Sequence, residues 1–317
     1  MDDSYLLISP CRNESEFMIK TLETVVSQSL LPAKWIIVDD GSTDVTPEIL
    51  GSYSDRYDFI KVITRHNRGH RSVGPGVIEA FHTGLETVDL NDYEYLCKLD
   101  LDLDLPATYF ETLITNMKAN PRIGTCSGKP YNQRDGELVS EKRGDEMSVG
   151  MTKFYRVSCF QQIGGFVSEV MWDAIDCHRC RQFGWIACSW DDPELRFVHL
   201  RVMGSSQDNV YSGRMRHGYG QYFMGTGIVY MFVTSVYRML HPPYFFGGVA
   251  MFWGYLKSAV KRLPRYRDKG LRKFINTYQW RCLLLGKHKA TELLNEKQKP
   301  AWKESGQDSI IGVALKR

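Results

Sequence analysis

The sequence predicts an α/β protein built on a doubly wound, mostly parallel sheet. Three observations predict it. Over residues 5–99, short apolar runs that suit buried strands alternate with segments whose apolar residues recur at helical spacing. Alternation of this kind winds helices onto both faces of one parallel sheet. Polar clusters at 10–14, 39–44, 65–71 and 100–104 each follow an expected strand, at the carboxyl edge where such sheets bind ligands.

The first strand is residues 5–9, a short apolar run ended by Pro10. Asn13 is placed to cap the next helix, in which Phe17, Leu22 and Val25 recur at helical spacing. Residues 35–38 form a second buried strand and lead into Asp39-Asp40-Gly41-Ser42-Thr43-Asp44. Thr46 and Pro47 read as the cap and first residue of a short helix. Residues 59–63 are a third strand, Gly74-Pro75-Gly76 opens a helix reaching about Glu86, and 93–99 are the fourth strand.

That fourth strand delivers Lys98-Leu99-Asp100-Leu101-Asp102-Leu103-Asp104-Leu105-Pro106, with leucine at every odd position and aspartate at three even ones. In extended chain the leucines share one face and the carboxylates the other. Like charges repel there unless something offsets them. A divalent cation such as Mg²⁺ or Mn²⁺ would do so, since it prefers oxygen ligands and shares them with substrate phosphates. The alternative is an edge strand with a solvated acidic face. A dinucleotide fold would need G-x-G-x-x-G after the first strand, where Pro10-Cys11-Arg12-Asn13-Glu14 stands. No P-loop occurs either, so phosphate must be held another way.

The bulk composition sets bounds. With 317 residues, 43% hydrophobic and 24% charged, the chain suits one large folded domain or a domain with an appendage. Eight cysteines are scattered through apolar runs and the start has no signal-peptide pattern, so reduced thiols in a cytosolic compartment are expected. Cys177-His178-Arg179-Cys180 has no second pair, and reads as a buried helix rather than a zinc site.

Ser9-Pro10-Cys11-Arg12-Asn13-Glu14, Val38-Asp39-Asp40-Gly41-Ser42-Thr43-Asp44, Asn67-Arg68-Gly69 and Lys98-Leu99-Asp100-Leu101-Asp102 stand in the order and spacing that resemble glycosyltransferase family 2. The resemblance covers about residues 4–200. It is nearest to bacterial members that build cell-surface polysaccharides. It implies the GT-A fold and inverting transfer from a nucleotide sugar, a UDP-sugar foremost. It also implies roles. Pro10, Asn13 and Glu14 would lie beside the nucleotide, with backbone around Ser9 and Cys11 touching the base. Asp39 and Asp40 would supply the acceptor for the uracil N–H and a ribose contact; capping and turn formation are the plainer reading. Arg68 or Arg71 would reach the diphosphate, unless solvated. Asn67, Lys98 and Leu101 complete the nucleotide-sugar set. Asp102 would hold the metal, Asp100 the ribose or metal, and Asp104 would be outer-lying or exposed. His199 would complete the metal or diphosphate site, unless structural. Met171-Trp172-Asp173 matches the start of the helix carrying the family's catalytic acid, but Trp172 stands where a glutamate is usual. Asp173 is the expected base, with Asp176 the rival one turn along.

On this reading residues 1–216 are the catalytic domain, with a nucleotide-binding half to about 105 and an acceptor half beyond. Residues 217–317 are a helical region. Residues 218–237 carry no charge, and a second uncharged, aromatic run reaches Leu256. Residues 257–289 then hold eleven lysines and arginines against one acid, Asp268, in a chain whose net charge is only +3. Apolar runs beside a polybasic stretch suit an anionic membrane surface, and nucleic acid is not expected. The family's processive polymerases carry Gln-x-x-Arg-Trp and several spanning helices; neither is found, so one sugar per encounter is expected. Together these give a metal-dependent transferase acting on a glycan or lipid-linked glycan at the cytoplasmic membrane face. The rivals are a sugar nucleotidyltransferase, which would need a glycine-rich basic loop at 10–14, and an inactive glycan- or nucleotide-binding relative.

Overall fold

The computed structural model describes residues 3–69, 74–134, 136–201 and 210–302. Its main sheet has seven strands in the order β10-β6-β9-β4-β1-β2-β3. These are β1 (Tyr5–Cys11), β2 (Lys34–Asp39), β3 (Ile60–Thr64), β4 (Tyr95–Leu99), β6 (Ile123–Cys126), β9 (Thr152–Arg156) and β10 (Ile186–Ala187). β1 to β4 run parallel, and β9 is inserted antiparallel between β4 and β6. The sheet is therefore mostly parallel, as expected.

Strand alternation divides the core. Tyr5, Leu7 and Cys11 of β1 pack with α1 (Met18–Val26), α2 (Thr46–Arg56) and α4 (Tyr109–Ala119), while Leu6 and Ile8 pack with α3 (Pro75–Leu85), α5 (Val157–Ile163) and α6 (Trp172–Gln182). Helices thus cover both faces. In register, Cys11 lies beside Asp39 and Ile8 beside Lys98. The polar clusters after β1, β2 and β4 meet at one sheet edge.

The acidic stretch keeps its period of two in burial, not in strand structure. Leu99, Leu101, Leu103 and Leu105 are buried and the aspartates between them half-buried. β4 nevertheless stops at Leu99, although the Asp100 N–H still donates to the Met151 carbonyl (2.7 Å), the next position in the β4–β9 register. Thr21 Oγ1 then clamps Leu103, donating to its carbonyl at 2.7 Å and accepting from its N–H at 2.8 Å. The chain bends and restarts as β5 (Leu103–Asp104). β5 opens a second sheet, β5-β11-β7-β8, with β7 (Lys129–Arg134), β8 (Glu137–Ser140) and β11 (Arg196–His199).

Two helix starts differ from expectation. Asn13 does not cap α1; its φ is +53°, its N–H donates to Ser42 Oγ (2.9 Å) and its Oδ1 accepts from the Thr43 N–H (2.8 Å). Thr46 is the first helical residue rather than the cap, and its N–H is taken by Asp44 Oδ1 at 3.0 Å.

Five helices follow: α7 (Val210–Met224), α8 (Ile228–Met239), α9 (Phe246–Val260), α10 (Lys269–Leu285) and α11 (Lys287–Gln298). α7 and α9 pack backbone to backbone: a Cβ on Gly218 would stand 2.0 Å from the Met251 carbonyl oxygen. Ala174 and Ile175 of α6 share a hydrophobic cluster with α7 and α10. The expected boundary after Arg216 therefore falls inside α7, across a shared core. None of the described helices is long and apolar enough to cross a membrane. All eight cysteines are free thiols, and Cys177 and Cys180 are buried in α6, as a structural helix requires.

Candidate functional site

At the carboxyl edge of β1, β2 and β4 the charged residues form an alternating chain. Glu14 pairs with Arg201, and Arg201 Nε lies 3.3 Å from Asp102 Oδ2. The same oxygen lies 3.6 Å from His199 Nε2, whose Nδ1 is 2.8 Å from Glu141 Oε1. The order is acid, base, acid, base, acid. Antiparallel pairing of β11 with β5 sets it, placing His199 opposite Leu103, while the Leu200 N–H donates to the Asp102 carbonyl (2.8 Å). Arg201 also stacks on Phe17, 4.9 Å from the ring centre.

Electrostatics follow from this chain. Burial works against the Asp102 charge, but His199 and Arg201 outweigh it and hold the carboxyl below its usual range. Burial likewise opposes the His199 charge, yet Asp102 and Glu141 raise it to about 9. Asp102 Oδ1 is buried with no hydrogen-bond partner among the described residues. A buried, unsatisfied carboxylate oxygen fits a cation or donor brought by a ligand.

Among the described residues no group of three or more His, Cys, Asp and Glu is arranged to hold a metal by itself. Asp100 is already paired. Its carboxylate is engaged by Lys98, whose Nζ also donates to the Gly150 carbonyl at 3.0 Å.

The other expected contacts divide clearly. Asp39 is buried; its Oδ1 accepts from the Ser42 N–H (2.9 Å) and Oγ (2.6 Å), and its Oδ2 has no partner among the described residues. Asp40 is different, since Arg65 (2.7 Å) and Arg68 (2.5 Å) occupy its carboxylate. Arg68 also pairs with Glu79 (3.0 Å), so without a donor its guanidinium is held by two acids. Asn67 Oδ1 accepts from Arg12 Nη2 (2.7 Å) and from the Gly69 N–H (2.8 Å). It tethers the loop after β3 to the loop after β1. Gly41 makes this possible, at φ +73° with a Cβ position only 2.5 Å from Asn67 Cα. Ser9 and Cys11 turn into the core, where Ser9 Oγ accepts from Trp35 Nε1 (2.9 Å), so only their backbone borders the edge. Leu101 is likewise buried. Pro10 is half-buried, and the Glu14 N–H donates to Thr46 Oγ1 at 2.9 Å. Asp104 is held by Lys20 at 3.4 Å, apart from the chain of charges. Arg71 lies outside the described residues.

The start of α6 supplies the remaining acid. Asp173 is half-buried in the first turn of α6, and Gly150 is so close that a Cβ there would stand 3.2 Å from Asp173 Oδ2. Gly150 thus lies between Asp173 and the Lys98–Asp100 pair. Trp172 is buried against Phe166, with Lys98 Nζ at 5.3 Å and Lys153 Nζ at 5.6 Å from its ring. Lys98 and Lys153 are cross-strand neighbours, and both ammonium groups lie over the Trp172 ring.

Asp176, the rival acid, lies in the core. It is 1% exposed and bound by Lys153 and by the Tyr155 hydroxyl. Burial opposes the Lys153 charge, and Asp176 more than offsets it, holding the lysine above its ordinary value. This pair is a core element that also braces the site, since Lys153 Nζ donates to the Asp173 carbonyl at 2.6 Å. Asp176→Asn is expected to cost about 3–5 kcal/mol in denaturant unfolding by stranding the ammonium. Lys153→Met with Asp176→Leu should cost much less.

Glu141 and Arg201 are the functional candidates that sequence reasoning missed. Arg201 sits two residues past His199, but its pairing with residue 14 spans the chain. Glu141 follows β8 with no motif around it.

The comparisons agree with this geometry. The family described as glycosyl transferase family 2 matches residues 7–171, just over half of the chain. Over 140 residues the chain is 34% identical to a poly-β-1,6-N-acetyl-D-glucosamine synthase of Staphylococcus epidermidis, covering 44% of this chain and 31% of that protein. Against the same-named protein of Staphylococcus aureus it is 33% identical over 133 residues, 41% of this chain and 29% of the other. The chain thus matches about three tenths of these relatives' length. Among solved structures, GalNAc-T7 with UDP, GalNAc and Mn²⁺ superposes with a TM-score of 0.59 at 14% identity, covering 91% of this chain and 58% of that one. Staphylococcus aureus TarS 1-349 in complex with UDP-GlcNAc gives 0.50 at 14%, covering 94% and 89%. At such identities the superpositions speak for the fold, which is GT-A. With that fold, these motifs and the matched profile, the chain belongs to glycosyltransferase family 2.

Proposed function

We propose that this chain moves one sugar from a nucleotide sugar, a UDP-sugar, to a hydroxyl of a glycan or lipid-linked glycan in cell-surface polysaccharide synthesis, with inversion at the anomeric carbon. The observation that carries the reading is the pair of buried, unpartnered carboxylate oxygens, Asp39 Oδ2 and Asp102 Oδ1, at one sheet edge. Asp39 would accept the N–H of the base. Asp102, with His199, would hold a Mg²⁺ or Mn²⁺ ion whose remaining ligands come from the diphosphate. Asp100 joins them if Lys98 releases it. Such an ion neutralises charge on the departing diphosphate. Glu141, bonded to the far nitrogen of His199, would fix that ring's orientation. The acceptor hydroxyl would attack the anomeric carbon while Asp173 takes its proton.

The relatives named as poly-β-1,6-N-acetyl-D-glucosamine synthases and the UDP-GlcNAc complex of TarS favour an N-acetylhexosamine donor. A sugar nucleotidyltransferase is disfavoured because 10–14 contains no glycine. An inactive relative is favoured only by Trp172. A thermal-shift panel of UDP, GDP, ADP and their sugars, each with and without Mn²⁺, tests the reading. Stabilisation by the uridine compounds in Mn²⁺ is the expected result; stabilisation by none sinks it.

We further propose peripheral attachment to the cytoplasmic membrane face. α8 exposes Ile228, Val229, Phe232, Val233, Val236 and Tyr237, which fall on one helical face. The exposed Tyr244, Phe245 and Phe246 and Trp253 of α9 extend it. Lys257, Lys261, Arg262, Arg265 and Arg267 follow at the end of α9 and just beyond it. Apolar area next to basic residues suits an anionic bilayer, each basic group adding about 1 kcal/mol near the surface. The chain should cosediment with phosphatidylglycerol vesicles, weakly with phosphatidylcholine, and less as salt rises. Phe232→Glu with Trp253→Glu should lower binding severalfold at unchanged thermal stability. Equal binding by that variant would contradict the surface assignment.

A further inference from the structure

A second charged group lies beyond Asp173, on the helices that cover it. Arg214 and His217 stand three residues apart on α7, so both lie on one face. Arg238 occupies the last turn of α8. Arg143 follows β8, two residues past Glu141, with its Nη2 3.8 Å from Glu141 Oε2. Arg214 is fixed at the corner between α8 and α9: its Nη2 donates to the Pro242 carbonyl at 3.4 Å, and the Cβ position of Gly247 lies 3.9 Å from its Nε.

These cations act on one another. Burial lowers Arg214, and Arg238 and Arg143 lower it further. Burial and Arg143 do the same to Arg238. His217 falls to about 4 through burial and Arg238, while Asp173 pulls the other way. His217 is therefore within electrostatic reach of both the arginines and the expected base. Among the described residues no carboxylate forms an ion pair with Arg214 or Arg238. Half-buried like charges without a counter-charge are costly, and an arriving anion removes that cost. Guanidinium groups suit phosphate in particular, through paired N–H donors.

We propose that Arg143, Arg214, Arg238 and His217 form a subsite for the phosphate of a lipid-linked acceptor. The inference rests on Asp173 as the base of the proposed transfer. Arg214 reaches the α8–α9 corner through the Pro242 carbonyl, and that corner exposes Tyr237, Leu240, Tyr244 and Phe245. An acceptor with a sugar, a phosphate and an apolar tail in that order would match three consecutive surfaces. Its hydroxyl would reach Asp173, its phosphate the arginines, and its tail the corner. A neutral glycan brings no charge to offset the arginines.

Calorimetry of the full chain in detergent, with farnesyl diphosphate, farnesol and inorganic pyrophosphate, tests this. Farnesyl diphosphate should bind, farnesol should not, and pyrophosphate should bind at least tenfold more weakly than farnesyl diphosphate. Arg214→Gln with Arg238→Gln should weaken farnesyl diphosphate tenfold or more, with UDP affinity within twofold. Arg143→Gln, an exposed change with little reach into the core, should weaken it severalfold, and Arg214→Lys with Arg238→Lys should restore part of it. Unchanged affinity in the variants would overturn the subsite, as would equal binding of farnesol. Pyrophosphate binding as tightly as farnesyl diphosphate would reassign it to free phosphate, and a parallel fall in UDP affinity would reassign it to the donor; either overturns the proposal. If UDP fails to bind but the farnesyl diphosphate pattern holds, the donor reading fails and the subsite stands.

Discussion

Asp102→Asn is expected to abolish Mn²⁺-dependent UDP binding and to lower turnover about a hundredfold or more, since charge on the leaving diphosphate goes unneutralised. The substitution keeps size and removes an anion. In this structure it also breaks the middle of a chain running from Glu14 through Arg201, Asp102 and His199 to Glu141. Arg201 would keep Glu14 and His199 would keep Glu141, so the fold should survive while the site loses its central charge. A pH series adds a sign. The folded value of His199 lies near 9, above its ordinary 6.5. Its pairing therefore stabilises the fold fully below about 6.5 and is lost as pH rises through about 9. The proton on His199 competes with a cation at Asp102, so wild-type UDP affinity in Mn²⁺ should strengthen from pH 7 toward 9. Calorimetry showing unchanged Mn²⁺-dependent binding in Asp102→Asn would remove Asp102 from the metal role.

Asp173→Asn should leave UDP affinity nearly intact and cut turnover by about 10²–10⁴, the usual worth of a general base. The separation is geometric. Asp173 stands on α6 across Gly150 from the Lys98–Asp100 pair. Its backbone is held by Lys153, so the side chain can change without moving the helix start. Asp176→Asn differs in kind, because it strands a buried lysine and should show itself first as lost stability. A larger loss of turnover in Asp176→Asn, at unchanged stability and donor affinity, would show that the wrong acid is assigned as base.

The sequence made the parallel sheet and its loaded edge legible because strands of this kind are short, apolar and bounded by polar turns. It also made the burial of Leu99, Leu101, Leu103 and Leu105 legible, since alternation needs only extended backbone. It did not make the break after Leu99 legible. That break goes with the clamp of the Thr21 hydroxyl on Leu103, which is remote in sequence. Asn13 suffered the same override: its side chain suits a cap, but the loop after β2 offered it better partners. Glu141 and Arg201 reach the site only through the pairing of β11 with β5 and β7, which no local period encodes. The pairing of Asp40 with two arginines from the loop after β3 was not legible either, since it joins separate loops. The loss of charge after Arg216 marks a change in what the helices face, and not a break in the fold, since α7 runs through it.

The central claim is that the edge of β1, β2 and β4 binds a nucleotide diphosphate through Asp39 and a cation at Asp102. Calorimetric titration of UDP into the intact chain, once with Mn²⁺ and once with EDTA, tests it most directly. The account predicts saturable one-to-one binding in Mn²⁺ that EDTA weakens at least tenfold. No binding of UDP in Mn²⁺, or binding indifferent to EDTA, would contradict it.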